Sequence, residues 1–209
     1  MTDIILYDYP KSSASYRVRI ALNLSGVPYH KEQVNLLDGA HKLPAYLARN
    51  PQGLVPALEI DGLCLTQSLS MLTYLDETRH LGLLPSDPAA KARLTAAAYA
   101  IAIDLHPVCN LSVMRHATDN EEPAKTNWMR HFIRPGLLAF EALISAPDFK
   151  GTNGGFCFGS GPSLADICLI PQLYNANRWG VFYDDCPHIL AAEKACSAIR
   201  AFAAAHPDS

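Results

Sequence analysis

A short proline-bounded segment, residues 84–88, divides the 209-residue sequence into two parts with different hydrophobic periodicities. Before it, short apolar runs alternate with a helical pattern, whereas from residue 89 onward the pattern is helical throughout. Neither a strand nor a helix continues through the two prolines, because proline lacks an N–H group and has a fixed φ. The sequence therefore predicts an α/β domain over residues 1–83, a linker over 84–88 and an all-helical bundle domain over 89–209.

The first part predicts the element order β-α-β followed by β-β-α. Residues 4–9 are β-branched and aromatic, which is typical of a buried strand, and a helical pattern follows them. Residues 27–35 form a predicted second strand, and the crossover length favours a parallel pair. Asp61-Gly62 between two apolar runs predicts an antiparallel hairpin, which leads into a helix over 69–79. This order is that of a thioredoxin-like domain with a four-stranded mixed sheet.

In the second part the sequence indicates several helices and one clear helix start. The segments with helical patterns are 89–103, 123–146 and 188–205. Ser163 after a proline, with Asp166 three residues later, forms a variant of the capping box. We expect a helix to begin at Ser163 and to run to Trp179, although Pro171 lies in its early turns.

Composition excludes several classes of function. Lys and Arg total 17 against 20 Asp and Glu, for a formal charge of −3, so no nucleic-acid partner is expected. Apolar stretches are too short for a membrane-spanning helix, and the first residues lack the features of a secretory signal, which predicts a cytosolic protein. Six scattered cysteines, without C-x-x-C or paired histidines, predict reduced, mostly buried thiols and no metal site.

Three serines, Ser12, Ser13 and Ser15, precede the first predicted helix. Free backbone N–H groups and the positive end of the helix dipole favour an anion or a thiolate there by roughly 0.3 to 2 kcal/mol. Serines at such a position also serve as ordinary N-caps, and the sequence leaves that alternative open. Because no histidine or acidic residue lies nearby to build a triad, the hydroxyl is predicted to donate to an external anion rather than to act as a nucleophile.

Two further junctions of the same domain carry polar groups. Pro56 stands directly before a predicted strand, and in a thioredoxin-like setting it is expected to be cis, which leaves the backbone of Val55 available to a peptide-like ligand. A plain trans proline is the alternative. Gln67 and Ser68 open the next helix, where an amide and a hydroxyl can bind a carboxylate. Together the three junctions predict a groove for an extended, anionic, thiol-bearing peptide.

The sequence resembles the zeta-class glutathione transferases, the maleylacetoacetate isomerase family, over nearly its whole length. The stretches that carry the resemblance are 12–22, 50–58, 67–68, 103–113, 165–173 and 177–179. Each stretch alone is moderately specific for this family, whereas the order and spacing of all the stretches together are strongly specific for it. One position departs from the family: Ala14 stands where members often have the cysteine of a Ser-Ser-Cys turn. Reductive dehalogenation, which a thiol at that position assists, is therefore less expected.

The resemblance implies that glutathione is the cofactor and indicates which residues hold it. The implied glutathione-binding residues are Ser12, Ser13, His41, Gln52, Val55, Pro56, Gln67, Ser68, His106 and Asn110. In this family pattern Ser12 donates a hydrogen bond to the sulfur, and Gln67 and Ser68 hold the γ-glutamyl carboxylate. His41 also fits a solvent-exposed loop residue, and His106 and Asn110 also fit ordinary polar groups of a helix.

The resemblance further implies cis-trans isomerisation of maleylacetoacetate to fumarylacetoacetate, a step of tyrosine and phenylalanine catabolism. A thiolate adds to the double bond, the resulting single bond rotates, and elimination gives the trans isomer. Because the substrate is a dicarboxylic keto-acid, cations are expected around it, and Lys11, Arg17 and Arg178 are the candidates. Ser12, Arg17 and Arg178 are the predicted catalytic residues, and Lys11 and Arg178 the predicted substrate-binding ones. Arg17 is equally compatible with an exposed arginine paired on its helix surface.

Three other functions stay open. A glutathione-dependent maleylpyruvate isomerase uses the same chemistry on a shorter acid, and a general glutathione transferase acts on α-haloacids. A non-enzymatic glutathione-binding or dimerisation module belongs to a different class. The resemblance also implies a homodimer.

Overall fold

The computed structural model describes residues 3–147, 149 and 155–209. The chain divides into two compact units, one formed by residues up to Leu81 together with Arg200–Ser209, the other by Gly82–Ile199. The segment Arg200–Ser209 thus packs with the first unit, for which the sequence carries no local signal. The domain bounds inferred from the sequence stay a prediction. Met1 and Thr2, part of the stretch inspected for a secretory signal, lie outside the described residues.

The first unit contains the four strands and the helices between them. Its elements are β1 (Ile5–Asp8), α1 (Ser13–Ser25), β2 (His30–Gln33), a 3₁₀ turn (Ala40–Lys42), α2 (Pro44–Leu47), β3 (Ala57–Ile60), β4 (Leu63–Thr66) and α3 (Ser68–Arg79). The sheet order is β2-β1-β3-β4. Strand β1 runs parallel to β2 and antiparallel to β3, and β3 pairs antiparallel with β4. The predicted mixed sheet is therefore confirmed.

Local chemistry explains where these strands begin and end. Strand β2 is shorter than the predicted 27–35, and Pro28, which cannot donate to a ladder, lies just before it. The hairpin turns at Asp61 and Gly62, with φ of 52° and 81°. Positive φ at both positions is the requirement of a tight two-residue hairpin, so the Asp-Gly pair was an accurate signal.

The sheet is covered on both faces. Leu6 and Leu58 are opposite each other in register and fully buried. Tyr7 and Ala57 point to the other face, because side chains alternate along a strand, and they pack there with Tyr46 of α2. Helices α1 and α3 pack against each other. This packing brings the first turns of two helices and the loop before β3 into one unit.

The second unit is helical. Its elements are α4 (Pro88–Tyr99), a π-helical turn (Ala100–Leu105), α5 (His106–Val108), α6 (Leu111–Thr118), α7 (Ala124–Ile144), α8 (Leu164–Arg178) and α9 (Pro187–Ser197), and the first unit adds α10 (Arg200–Ala203). The helix predicted over 89–103 continues to Val108, and the segment 188–205 forms two helices rather than one. Helix α6 was not predicted. The helix expected after Ser163 is confirmed.

Helix α7 approaches the π-helical turn closely at Gly136. A Cβ atom at this glycine would lie 2.7 Å from Cδ2 of Leu105, too near for any side chain without a shift. Helices α4 and α7 also pack against α8, with Leu94, Ile133 and Leu169 fully buried. The helical unit therefore has its own core.

Within the described residues, no single helix has the length and apolar composition needed to cross a membrane. The segments Pro88–Val108 and Leu111–Thr118 meet the length and composition test only as a pair, bent by 44° at the break between them.

Candidate active site

The first candidate position is the start of α1. Ser12 is the N-cap, and its hydroxyl accepts a hydrogen bond from the backbone N–H of Ser15 at 3.2 Å. The backbone N–H of Ser12 donates to the carbonyl of Tyr9 at 2.9 Å, which closes the turn after β1. The first turn of α1 holds no acidic side chain. Ser12 and Ser13 are half-buried, so the positive end of the helix dipole is open to an external anion.

A buried ion pair anchors this turn. Arg19, 3% exposed, donates to Oδ1 of Asp8 at 2.7 Å, to the carbonyl of Pro10 at 2.8 Å and to the carbonyl of Ala205 at 2.9 Å. The guanidinium therefore ties the end of β1, the turn and the C-terminal segment together. Sequence reasoning missed this role, because only the helical register of an arginine between two buried apolar residues hinted at it. Lys11, beside the turn, is exposed.

Arg17 joins α1 to the start of α3. Its side chain is 2% exposed, and Nη1 donates to Oγ of Ser68 at 2.9 Å. Ser68 is itself buried. Arg17 is thus not on an exposed helix surface, contrary to one reading of the sequence. Its predicted catalytic role stays a prediction.

Gln67, which precedes α3, lies next to Gln52. The side-chain amide of Gln67 donates to Oε1 of Gln52 at 2.7 Å, and both side chains are exposed. Gln67 has a φ of 67°, an uncommon conformation for a residue other than glycine. Two residues that the resemblance assigns to glutathione binding are therefore hydrogen-bonded to each other.

The loop before β3 is held by buried side chains. The Val55–Pro56 peptide bond is cis, as predicted. The amide of Asn50 donates to the carbonyl of Leu54 at 2.6 Å, and the Tyr46 hydroxyl donates to the same carbonyl at 2.7 Å. Among the described residues, neither the N–H nor the C=O of Val55 bonds to another backbone group. Asn50 and Tyr46, which sequence reasoning did not single out, therefore shape the loop while leaving Val55 available.

The 3₁₀ turn adjoins this loop. Nζ of Lys42 donates to the carbonyl of Gly53 at 3.1 Å. Gly53 has a φ of 60°, and a Cβ atom there would lie 2.9 Å from the carbonyl oxygen of His41. Burial, followed by the charge of Lys42, lowers the pKa of His41, which favours the neutral imidazole. Its buried Nδ1 has no hydrogen-bond partner in the described part of the chain.

Two pairs of predicted residues in the first unit are joined by these contacts, Arg17 with Ser68 and Gln67 with Gln52. We call this set the N-terminal polar cluster; it consists of Ser12, Arg17, His41, Gln52, Val55, Gln67 and Ser68. Ser12 is the N-cap of α1 and Arg17 lies within that helix, the 3₁₀ turn and the loop carry the next three, and Gln67 and Ser68 stand at the start of α3. The cluster offers an anion site, free backbone groups and amide side chains on one small unit.

Three predicted residues, His106, Asn110 and Arg178, lie in the second unit. His106 belongs to α5 and is half-buried, and Asn110 is the N-cap of α6. Arg178 is the last residue of α8, is exposed, and has its guanidinium carbon 5.9 Å from the centre of the Tyr174 ring. Their roles toward a ligand stay predictions.

The cysteines are free, and five of the six are buried, which confirms the expectation of mostly buried thiols. Cys64 is the exposed one. No group of three or more His, Cys, Asp or Glu side chains within residues 3–147, 149 and 155–209 is arranged to hold a metal ion.

Comparison with known proteins gives consistent matches. Residues 2–77 match the family model of the glutathione S-transferase N-terminal domain. A maleylacetoacetate isomerase of Rhizobium meliloti (strain 1021) is 51% identical over 210 residues, covering 99% of this chain and 97% of the relative.

Two solved structures match over both units. One is a holo maleylpyruvate isomerase, a bacterial glutathione S-transferase of the zeta class, with a TM-score of 0.90, 37% identity and coverage of 97% of this chain and 96% of that one. The other is a maleylacetoacetate isomerase from Anaeromyxobacter dehalogenans 2CP-1 with glutathione bound in its active site, with a TM-score of 0.85, 37% identity and coverage of 99% and 95%.

Proposed function

The chain belongs to the zeta-class glutathione transferases, the maleylacetoacetate isomerase family, and from this membership we propose that it is a glutathione-dependent cis-trans isomerase. The reaction we propose converts maleylacetoacetate to fumarylacetoacetate in tyrosine and phenylalanine catabolism. The observation that carries the proposal is the similarity to a maleylacetoacetate isomerase over nearly the whole chain. The N-terminal polar cluster supports it, because it offers what a thiol-bearing peptide requires.

Three features of the cluster fit glutathione. The start of α1 has no acidic side chain and favours an anion, as a thiolate needs. Within the described ranges, the backbone N–H and C=O of Val55 bond to no other backbone group, so they are available to the peptide part of the ligand. Nδ1 of His41 is buried without a hydrogen-bond partner among the residues that the structure describes, and it can bond to a further polar group. Bound glutathione supplies the thiolate that adds to the conjugated double bond and later leaves it.

Ser12 is the residue that we assign to the sulfur. Its oxygen accepts from the Ser15 N–H, so the hydrogen of the hydroxyl is left to donate to the ligand. A hydrogen bond to the charged form of a thiol lowers its pKa, and each pKa unit corresponds to about 1.4 kcal/mol. Ser12 and the helix dipole together thereby raise the fraction of reactive thiolate at neutral pH.

The remaining residues of the proposal bind the two ligands. We assign Gln67 and Ser68 to the γ-glutamyl end of glutathione, with Val55 in the middle. Arg178 is assigned to a carboxylate of the dicarboxylic keto-acid, because a guanidinium binds a carboxylate through two parallel hydrogen bonds. Lys11, exposed beside the turn, adds a second cation. The further predicted contacts to glutathione are those of Ser13, His41, Gln52, His106 and Asn110.

Maleylpyruvate isomerisation is the second candidate, because a solved maleylpyruvate isomerase matches this chain with a TM-score of 0.90. Both acids undergo the same thiolate addition and differ in length. Conversion of α-haloacids is a side activity in the proposal, and Ala14 makes its reductive form less expected. We further propose a homodimer in the cytosol, where six free thiols are stable.

A parallel assay tests the function. Purified chain is mixed with maleylacetoacetate or maleylpyruvate, with and without glutathione, and the change in ultraviolet absorbance is followed. We expect turnover of at least one acid only when glutathione is present, with the larger kcat/KM for maleylacetoacetate. Glutathione binding without turnover of either acid would point to a binding module instead.

A further inference from the structure

Helix α8 of the second unit carries buried polar side chains in its second half. Asp166 apart, the buried residues of its first half are apolar. Further along the helix, Gln172 is 1% exposed and Asn175 is 7% exposed, and Trp179 forms the C-cap. Burying an amide costs free energy unless its donor and acceptor atoms are hydrogen-bonded. The second half of α8 therefore requires hydrogen-bond partners inside the helical unit.

The amide of Gln172 has no such partner among the described residues. Its oxygen and its nitrogen are both buried, and neither is hydrogen-bonded to a described protein group. The indole nitrogen of Trp179 is likewise buried without a partner in that part of the chain. The indole of Trp128, by contrast, donates to the carbonyl of Val108 at 2.9 Å. An acceptor and two kinds of donor near the end of α8 are thus left for a molecule other than the described chain.

Gln172 and Trp179 lie on the same face of α8. Seven residues turn an α-helix through about 700°, close to two full turns, and advance it by about 10.5 Å. Asn175 lies between them along this face, and so does Ala176, which is fully buried and has a side chain of one methyl group. Polar sites inside proteins hold ordered water, whereas cavities with apolar walls stay empty. The polar groups on this face therefore favour water as the missing partner.

From these observations we infer that α8 binds ordered water inside the helical unit, between the amide of Gln172 and the indole N–H of Trp179. A buried water makes about three hydrogen bonds, and it both donates and accepts. Gln172 offers a donor and an acceptor, and Trp179 offers a donor. Water bound in this way ties the last two turns of α8 to each other.

The bound water gives Gln172 and Trp179 a positioning role for Arg178. Arg178 is the last residue of α8 and directly precedes Trp179. The carbonyl of Trp179 accepts from Nε of Arg130 on α7 at 2.8 Å, so the backbone after Arg178 is held on one side. The water on the indole N–H holds the side chain of Trp179 as well. This role rests on the proposed function, which assigns Arg178 to the keto-acid, whereas the water site does not.

Crystal structures of the full chain and of Gln172→Met test the water site directly. Methionine has nearly the size of glutamine and no amide. In the wild type we expect ordered water about 2.7 to 3.2 Å from the amide of Gln172 and from Nε1 of Trp179. The water at residue 172 should be lost in the variant. Side chains bonded to protein groups instead, or an interior without water there, would overturn the inference.

Urea denaturation of Gln172→Met, Trp179→Phe and the double variant measures whether the two residues share the water. Each single variant should lower the midpoint, and the double variant should lose less than the sum of both, because each breaks the same network. Trp128→Phe is the matched control, since its indole already has a protein acceptor, and its effect should add to that of Gln172→Met. A raised midpoint for Gln172→Met would indicate an amide without water and contradict the inference. Strictly additive losses at residues 172 and 179 would contradict it too.

Isomerase kinetics test the positioning role. Gln172→Met and Trp179→Phe should each raise KM for the keto-acid by about twofold to tenfold and leave KM for glutathione unchanged, as expected for a weakened hydrogen bond to one ligand. Gln172→Asn, which keeps an amide, should recover part of the affinity. Equal changes in both KM values would show a general structural effect and overturn the positioning role.

The outcomes separate the inference from the proposed function. An active isomerase without water at Gln172 and Trp179 overturns the inference alone. A chain that holds the water and turns over neither acid overturns the proposed reaction and leaves the water site standing. Should Trp179→Phe fail to fold, the crystal structures of the wild type and of Gln172→Met still decide.

Discussion

Helices α1 and α8 both begin at a serine N-cap, but α8 has an acidic side chain in its first turn and α1 has none. At α8, the carboxylate of Asp166 accepts from the N–H of Ser163 at 2.9 Å, from its hydroxyl at 2.6 Å and from the N–H of Cys157 at 2.9 Å. At α1, the first turn has no acid, and the side-chain hydroxyl of Ser12 accepts from the N–H of Ser15. A carboxylate within the chain therefore fills one helix start, and the other is left for an anion from outside.

The starts of α1 and α8 also differ in how deeply their polar side chains are buried. Asp166 is fully buried, and desolvation raises the pKa of its carboxyl while the hydrogen bonds from Cys157 and Ser163 oppose that rise. Ser12 is half-buried at the turn after β1. The comparison teaches that one acidic residue in the first turn distinguishes a helix start that stabilises the core from one that can bind a ligand.

The largest expected effect is that of Ser12→Ala on activity. Removing the donor to the thiolate should lower kcat/KM of the isomerase by about 100- to 1000-fold, as loss of one donor to a developing anion does elsewhere. Ultraviolet titration of the bound complex should show the thiol pKa rising toward that of free glutathione. Stability should fall by about 1 kcal/mol or less, the usual cost of losing an N-cap side chain. An unchanged thiol pKa would contradict the assignment of Ser12.

The second-largest expected effect is that of Asp166→Ala, and it concerns stability rather than activity. Asp166→Ala leaves two N–H groups and a hydroxyl without their acceptor, so the free energy of unfolding should fall by about 3 kcal/mol. Urea denaturation measures it, with Asp166→Asn as the milder variant. If the folded fraction also lost its affinity for glutathione, the division between a structural and a binding helix start would be wrong.

The third effect is that of an acidic residue introduced into the first turn of α1, which makes this helix start resemble that of α8. Ala14 lies in the first turn of α1, and Ala14→Asp places a carboxylate there, which competes with a thiolate for the same N–H groups and dipole. We expect a loss in kcat/KM of about tenfold and a raised thiol pKa. Ala14→Asn, of the same size and without charge, is the control. Equal losses in the two variants would show a steric effect and not an electrostatic one.

The smallest effect is a pH dependence of stability from Asp166. Because its pKa is raised in the folded chain, the unfolded chain releases this proton first as pH rises from below the ordinary value of 3.8. Over that window the free energy of unfolding falls, until pH exceeds the folded pKa. Asp166→Asn has no such proton, so its stability curve should lack this component. Denaturant titrations of both chains at pH values from 3 upward, about one unit apart, measure the difference.

The order of strands and helices in the first unit was predictable because its signals are local. Pro10 ends the first strand, Asp61-Gly62 makes the hairpin and Gly26 ends α1 with a φ of 68°. The capping box at Ser163 was equally local, since both partners lie within one turn. By contrast, the separate helix α10 and its packing with the first unit had no signal in the pattern.

The residue types of the candidate site were visible in the sequence, and their partners were not. Ser12, Gln67 and the Val55–Pro56 step stand at junctions that turn chemistry and resemblance both mark. The pairing of Arg17 with Ser68 joins residues 51 positions apart, and that of Gln67 with Gln52 joins residues 15 apart. Such contacts depend on how α1, α3 and the loop pack, which side-chain chemistry along the chain does not specify.

The sequence by itself thus determined the kinds of element, the helix starts and the chemistry they offer, because these depend on neighbours within a few residues. The tertiary structure determined which polar groups are hydrogen-bonded to each other. Packing brings side chains that are distant in the sequence together, and buried polar groups need a hydrogen-bond partner there. Arg17 illustrates the difference. Its charge is evident from the sequence, whereas its burial against a hydroxyl of α3 follows only from the packed fold.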